Sequence, residues 1–148
     1  MERPPRRGRR VGSTYERVIL WLARSAMVTF YPRTERFPGL EDMPVDAYLA
    51  RYKRECAPIM WLGFVLGTLF FHATPLFTVF IPLPAFMLSA ATRERHAQRL
   101  TSHPFYYVRQ PVFLVKMIAG LLWGSDPAVR DRLGLDPYPA DPGTRRLA

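Results

Sequence analysis

A run of 37 residues, Cys56 to Thr92 (CAPIMWLGFVLGTLFFHATPLFTVFIPLPAFMLSAAT), contains no Asp, Glu, Lys or Arg and constrains the fold more than any other feature of the chain. Its only ionisable groups are Cys56 and His72. The hydrophobic effect will not leave that much apolar area in water, so the run demands either a membrane or a core built by other helices. A spanning helix needs about 20 apolar residues. Cys56 to Thr74 supplies 19, about 28 Å of helix at ~1.5 Å per residue. Beyond it, Pro75, Pro82 and Pro84 each remove a backbone donor and clash with the preceding turn, so Leu76 to Ala91 is expected to be broken. Arg51, Lys53 and Arg54 precede the run and Arg93, Arg95 and Arg99 follow it, which places both flanks on the cytoplasmic side by a positive-inside count. Two readings stand side by side. One is a hairpin or re-entrant dip at the cytoplasmic membrane, integral or peripheral. The other is a buried central helix followed by a proline-stiffened connection.

At 148 residues the chain forms one domain at most, large enough for a single core. Its formal charge of +9 suits an anionic lipid surface or an acidic protein partner. Residues 1–12 read as a disordered basic arm, because five arginines (Arg3, Arg6, Arg7, Arg9, Arg10) and two prolines cannot bury enough apolar area to order themselves. No recognition motif follows the arm, so no nucleic-acid partner is expected. Val18 to Ala23 is only six apolar residues and too short for an export core.

Residues 13–134 read as a single all-α domain, a small helical bundle. Ser13-Thr-Tyr-Glu16 matches a capping box and should open a first helix. Tyr15, Val18, Ile19, Leu22, Ala26 and Phe30 recur at helical steps and are expected to form its apolar face, with Pro32 ending it. Arg17, Leu20, Trp21 and Arg24 are assigned to the other faces, where Arg beside an exposed Trp suits either a solvated bundle helix or an interfacial one. After a Pro/Gly-marked loop over 31–43, Pro44 can open a second helix with Val45, Tyr48, Leu49, Tyr52 and Cys56 inward. Pro58 either kinks that helix or opens the next. Within the apolar run, Gly63 and Gly67 lie one turn apart, a spacing that lets another backbone approach closely. A charged helix over 89–101 offers Ala97 and Leu100 to the core, and a Pro111-kinked helix follows from Pro104 with Phe105, Val108, Val112, Val115 or Lys116, and Ala119 at helical steps. Asp126-Pro127 is a cap and first-turn proline, and Gly134 a terminator, for a two-turn helix over 126–133. Residues 135–148 read as an extended tail.

Chemistry has few places to sit. His72, His96 and His103 lack the spacing of a metal site, and the lone Cys56 excludes a disulfide or a cysteine-based zinc site. His72 within the apolar run reads as a hydrogen-bonded core residue or, if intramembrane, a proton-relay residue. No nucleophile elbow, Cys–His pairing or phosphate loop is visible, so no catalytic, cofactor-binding or metal-ligating residue is assigned.

Phe86 to Ser89, Arg93-Glu-Arg95, the break from Ser102 to Phe105, Lys116 and above all Trp123-Gly-Ser-Asp-Pro-Ala-Val129 running to Leu133-Gly134 carry a resemblance. Phe30-Tyr-Pro32 and Leu49 fit the same pattern. The block resembles small helical accessory subunits, or fused N-terminal helical regions, that accompany GMC-type (glucose-methanol-choline) flavin oxidoreductases, including long-chain alcohol oxidases. The resemblance covers about two thirds of the chain. It implies a non-catalytic subunit without a flavin site of its own, assisting a separate FAD-bearing chain in oxidising an alcohol, sugar or sterol. Trp123, Asp126 and Pro127 are then corner residues that also face the partner, and Gly63 and Gly67 serve helix packing. The apolar segment is more hydrophobic here than in that family, which points towards lipid. The competing expectation is a small integral membrane protein with a helical hairpin and no redox partner.

Overall fold

A computed structural model describes residues 14–137. The basic arm, Ser13 of the capping box and the tail from residue 138 lie outside the described residues. Within them the protein is all-α, with seven helices and no strand: α1 (Thr14–Phe30), α2 (Val45–Glu55), α3 (Pro58–Ala73), α4 (Pro75–Val79), α5 (Ala90–Thr101), α6 (Tyr106–Ser125) and α7 (Pro127–Arg132). Short 3-10 turns at Leu40–Asp42 and Ala85–Met87 shape two of the connections.

The prolines divide the apolar run. Pro58 occupies the first turn of α3, whose 16 residues end at Ala73, and Pro75 opens the five-residue α4. Pro82 and Pro84 then keep the chain extended until the 3-10 turn, and Ser89 caps α5 by accepting from the Thr92 amide. The run therefore does not fold back on itself as a hairpin of two long helices. The helix that pairs with α3 is α6, and the pair is antiparallel: Gly63 faces Leu114 while Gly67 faces Pro111. Among the described residues no helix is long and apolar enough to cross a membrane.

α1 packs against both members of the pair, and a single core joins Ala23, Ala26 and Met27 of α1 with Phe64 and Phe71 of α3 and Val112, Val115, Ile118 and Ala119 of α6. Phe71 is fully buried and stacks obliquely on Phe30 with ring centroids 5.6 Å apart. Burial on this scale contributes about 1.5–3 kcal/mol for each such ring. The buried stripe of α1 is rotated from the expected face: Ile19, Leu22, Ala23, Ala26 and Met27 point inward, whereas Tyr15 and Val18 are exposed. The small Ala23 and Ala26 let α1 approach the pair closely, a placement that hydrophobicity alone ranks below Tyr15 and Val18. Phe105 is likewise exposed, with the buried face of α6 starting at Val112.

α2 lies against α1 through buried Val45 and Leu49 and exposed ion pairs, Lys53 with Glu16 and Arg24 with Asp46 at 3.4 Å. Exposed pairs of this kind contribute about 0–1 kcal/mol each. Cys56 sits half-buried at the α2–α3 corner next to Tyr52, whose hydroxyl burial pushes up to about 12.

Candidate functional site

The first candidate is a surface. Ile59, Leu62, Leu66 and Leu69 form a stripe along α3 at three and four residue steps, and all four are exposed. Their helix buries the opposite side through Phe64, Val65, Thr68, Phe71 and His72. On α6, Phe113, Met117 and Leu121 are exposed in the same manner, opposite Val115, Ala119 and Leu122. With the pair antiparallel and Gly67 against Pro111, helical spacing turns both stripes to the same outer side of the pair. A soluble core explains only the inner half of α3; its outer half is apolar and, among the described residues, exposed.

Gly67 makes this pairing possible. A Cβ there would stand 2.2 Å from the Pro111 carbonyl oxygen, a backbone atom that cannot move aside, so α3 reaches α6 only because residue 67 has no side chain. At Gly63 the neighbour is the Leu114 side chain, 3.1 Å from the same construction.

Trp123, Asp126 and Pro127 meet at the opposite end of α6. The Trp123 indole donates from Nε1 to the Pro38 carbonyl at 3.0 Å, stacks on Tyr31 with centroids 5.3 Å apart and leans on Phe37 at 5.5 Å. Asp126 Oδ1 accepts from the Ala128 and Val129 amides at 2.9 and 3.2 Å, and Pro127 takes the first position of α7. Arg33 forks onto Asp42 and its amide donates to Glu41 at 3.0 Å, while Arg132 donates to the Arg36 carbonyl at 2.6 Å. The Arg33 guanidinium holds the Asp42 carboxyl below its usual range, through hydrogen bonding foremost. The loop over 31–43 is thereby tied to α6 and α7, and Trp123 is spent mainly inside the molecule.

The buried polar groups gather near the other end. His96 lies fully buried between Phe71 and Thr78: Nε2 donates to the Phe71 carbonyl at 2.8 Å, which leaves Nδ1 to accept from the Thr78 hydroxyl. His72 Nε2 donates to the Leu22 carbonyl of α1 at 2.9 Å, and its Nδ1 has no hydrogen-bond partner among the described residues. Burial holds both imidazoles below the ordinary histidine range, with Arg93 and His96 pressing His72 further down. Both rings are therefore neutral at neutral pH and act as ties, His72 joining α3 to α1 and His96 joining α5 to α3 and α4. Sequence reasoning singled out His72 and passed over His96, whose position on a charged helix gave no apolar context. Beside His72, Leu76, Ile81, Pro82, Leu83 and Pro84 line an open apolar groove of about 330 Å³.

No three His, Cys, Asp or Glu side chains converge as a metal site among the described residues. No family model, curated protein or solved structure matches this chain.

Proposed function

We propose that the chain is a non-catalytic helical accessory subunit that docks a separate FAD-bearing oxidoreductase of the GMC type through its α3–α6 face, at the cytoplasmic membrane. The observation that carries this reading is the double stripe of Ile59, Leu62, Leu66 and Leu69 beside Phe113, Met117 and Leu121. A monomer gains nothing from exposing such a band, whereas burial against another chain would recover it. The class of partner rests on the resemblance carried by residues 86–134, with the FAD, and the alcohol, sugar or sterol it oxidises, belonging to that partner.

The test is a tagged pull-down from a host carrying the neighbouring genes, scored by flavin absorbance. Wild type recovers a flavoprotein and Leu66→Asp, with its helicity intact, recovers at least tenfold less. A wild-type pull-down without flavin overturns the reading.

A second reading is a membrane protein without a redox partner, with α3 and α6 as its lipid-facing pair. What favours it is that α3 carries no charged side chain over its whole length. It requires the protein to pellet with membranes and to resist high salt and alkali; release by salt alone rejects insertion and leaves electrostatic attachment.

A further inference from the structure

The end of the bundle made by α4, residues 80–88 and the start of α6 presents aromatic side chains in a different way from the α3–α6 stripes. Phe77 and Phe80 are 77% and 79% exposed, and Leu83, Met87 and Tyr107 are exposed at the same end. Phe80 carries a second cost. Its backbone sits at φ 59°, ψ 32°, the left-handed region, and it is the only residue other than glycine with positive φ among the described residues. Glycine or asparagine closes a helix in that conformation without strain, whereas a bulky side chain meets the neighbouring carbonyl. Folding thus gains from neither the ring nor the backbone of Phe80, and a residue kept against both costs points to use outside the fold.

The charge in the segments that form this end is predominantly positive. From Pro75 to Ser125 the only carboxylate is Glu94, against Arg93, Arg95, Arg99, Arg109 and Lys116. Arg99 donates to the Thr78 carbonyl, which fixes a guanidinium beside α4, and Arg95 lies one turn behind it on the same face of α5. Exposed phenylalanines bordered by arginines match a surface with an apolar interior and anionic headgroups.

We propose that this end of the molecule is a lipid-insertion tip, placing Phe77 and Phe80 in the interface of an anionic bilayer while Arg95 and Arg99 contact headgroup phosphates. The inference rests on the membrane half of the function proposed above and not on the flavoprotein half, so a failed pull-down leaves it standing.

The experiment is flotation of the full chain with phosphatidylcholine vesicles, with and without phosphatidylglycerol, alongside thermal melting. Wild type floats with the anionic vesicles and much less with the neutral ones. Phe80→Gly floats roughly tenfold less and melts at a higher temperature, because it relieves the left-handed strain. Arg95→Gln narrows the preference for anionic vesicles without changing the melt. Wild type that stays unbound, Phe80→Gly that floats as wild type does, or Phe80→Gly that melts lower each overturns the proposal. Phe77→Ser, which leaves the backbone conformation alone, loses flotation with an unchanged melt, and retained flotation there counts against the tip as well.

Discussion

Two short helices invite comparison, α4 and α7. Each opens with a proline in its first turn and each is followed by a residue in the left-handed region. α7 is completed by its side chains: Asp126 caps it, Gly134 at φ 66° closes it without strain, and Trp123 ties its approach to the loop at Pro38. α4 has an N-cap residue, Thr74, that makes no side-chain capping bond, and it closes on Phe80. One corner follows the local rules of helix termination and uses its aromatic ring inside the fold. The other breaks those rules and leaves its rings in solvent. Local capping and packing account for the α7 corner, whereas they leave the exposed rings and the left-handed Phe80 of the α4 end without a role in the fold, which is the gap that the proposed lipid tip fills.

The widest gap between the two ends should appear on truncating their aromatics. Trp123→Ala removes a stacked, hydrogen-bonded ring and should cost about 3 kcal/mol, whereas Phe77→Ala, at the surface, should change stability by no more than ~0.5 kcal/mol. Urea denaturation of both variants decides it. Equal losses at the two positions would erase the distinction.

Next in size is the seam that holds the ends apart. Gly67→Ala drives a Cβ into the Pro111 carbonyl and should cost about 1–3 kcal/mol, outweighing the ~1 kcal/mol that alanine gains in helix propensity. Gly63→Ala meets only the movable end of Leu114 and should be neutral or mildly stabilising. If the two substitutions behave alike, α3 and α6 are not set by that backbone contact.

The sequence made some of this legible and hid the rest for physical reasons. Helix ends marked by proline, serine, aspartate and glycine stand close to where the residues place them, because capping and φ restriction are local: Pro58, Ser89, Asp126 and Gly134 act within one turn of themselves. The partner of α3 was not legible, since Leu76 to Ala91 is nearer in sequence and as apolar as α6, and the choice between them depends on Gly67 meeting Pro111 across the fold. Periodicity places Ile19, Leu22 and Ala26 on the inward face of α1 but also Tyr15 and Val18, which are exposed, because it weighs them above Ala23 although close packing needs the alanine. His96 was invisible because its partners, the Phe71 carbonyl and Thr78, come from segments 25 and 18 residues away. The left-handed Phe80 had no signal at all, as Val79-Phe80-Ile81-Pro82 contains none of the residues that favour that conformation.

The smallest effect is the most discriminating about the α7 corner. Asp126→Ala deletes the oxygen that accepts from Ala128 and Val129, leaving two first-turn amides without their side-chain partner, and should cost ~1 kcal/mol. Asparagine keeps an acceptor of the same reach, so Asp126→Asn should lose only a few tenths of a kcal/mol, the share owed to negative charge at a helix start. At the α4 end the matching position is Thr74, whose hydroxyl donates back to the Phe70 carbonyl at 2.8 Å and caps nothing, so Thr74→Ala should show no capping loss. Chemical denaturation of the three variants reads the comparison directly. A full loss in Asp126→Asn would mean that charge and not hydrogen bonding closes α7, and a loss in Thr74→Ala equal to that of Asp126→Ala would mean that α4 is capped after all and that its exposed phenylalanines belong to an ordinary helix.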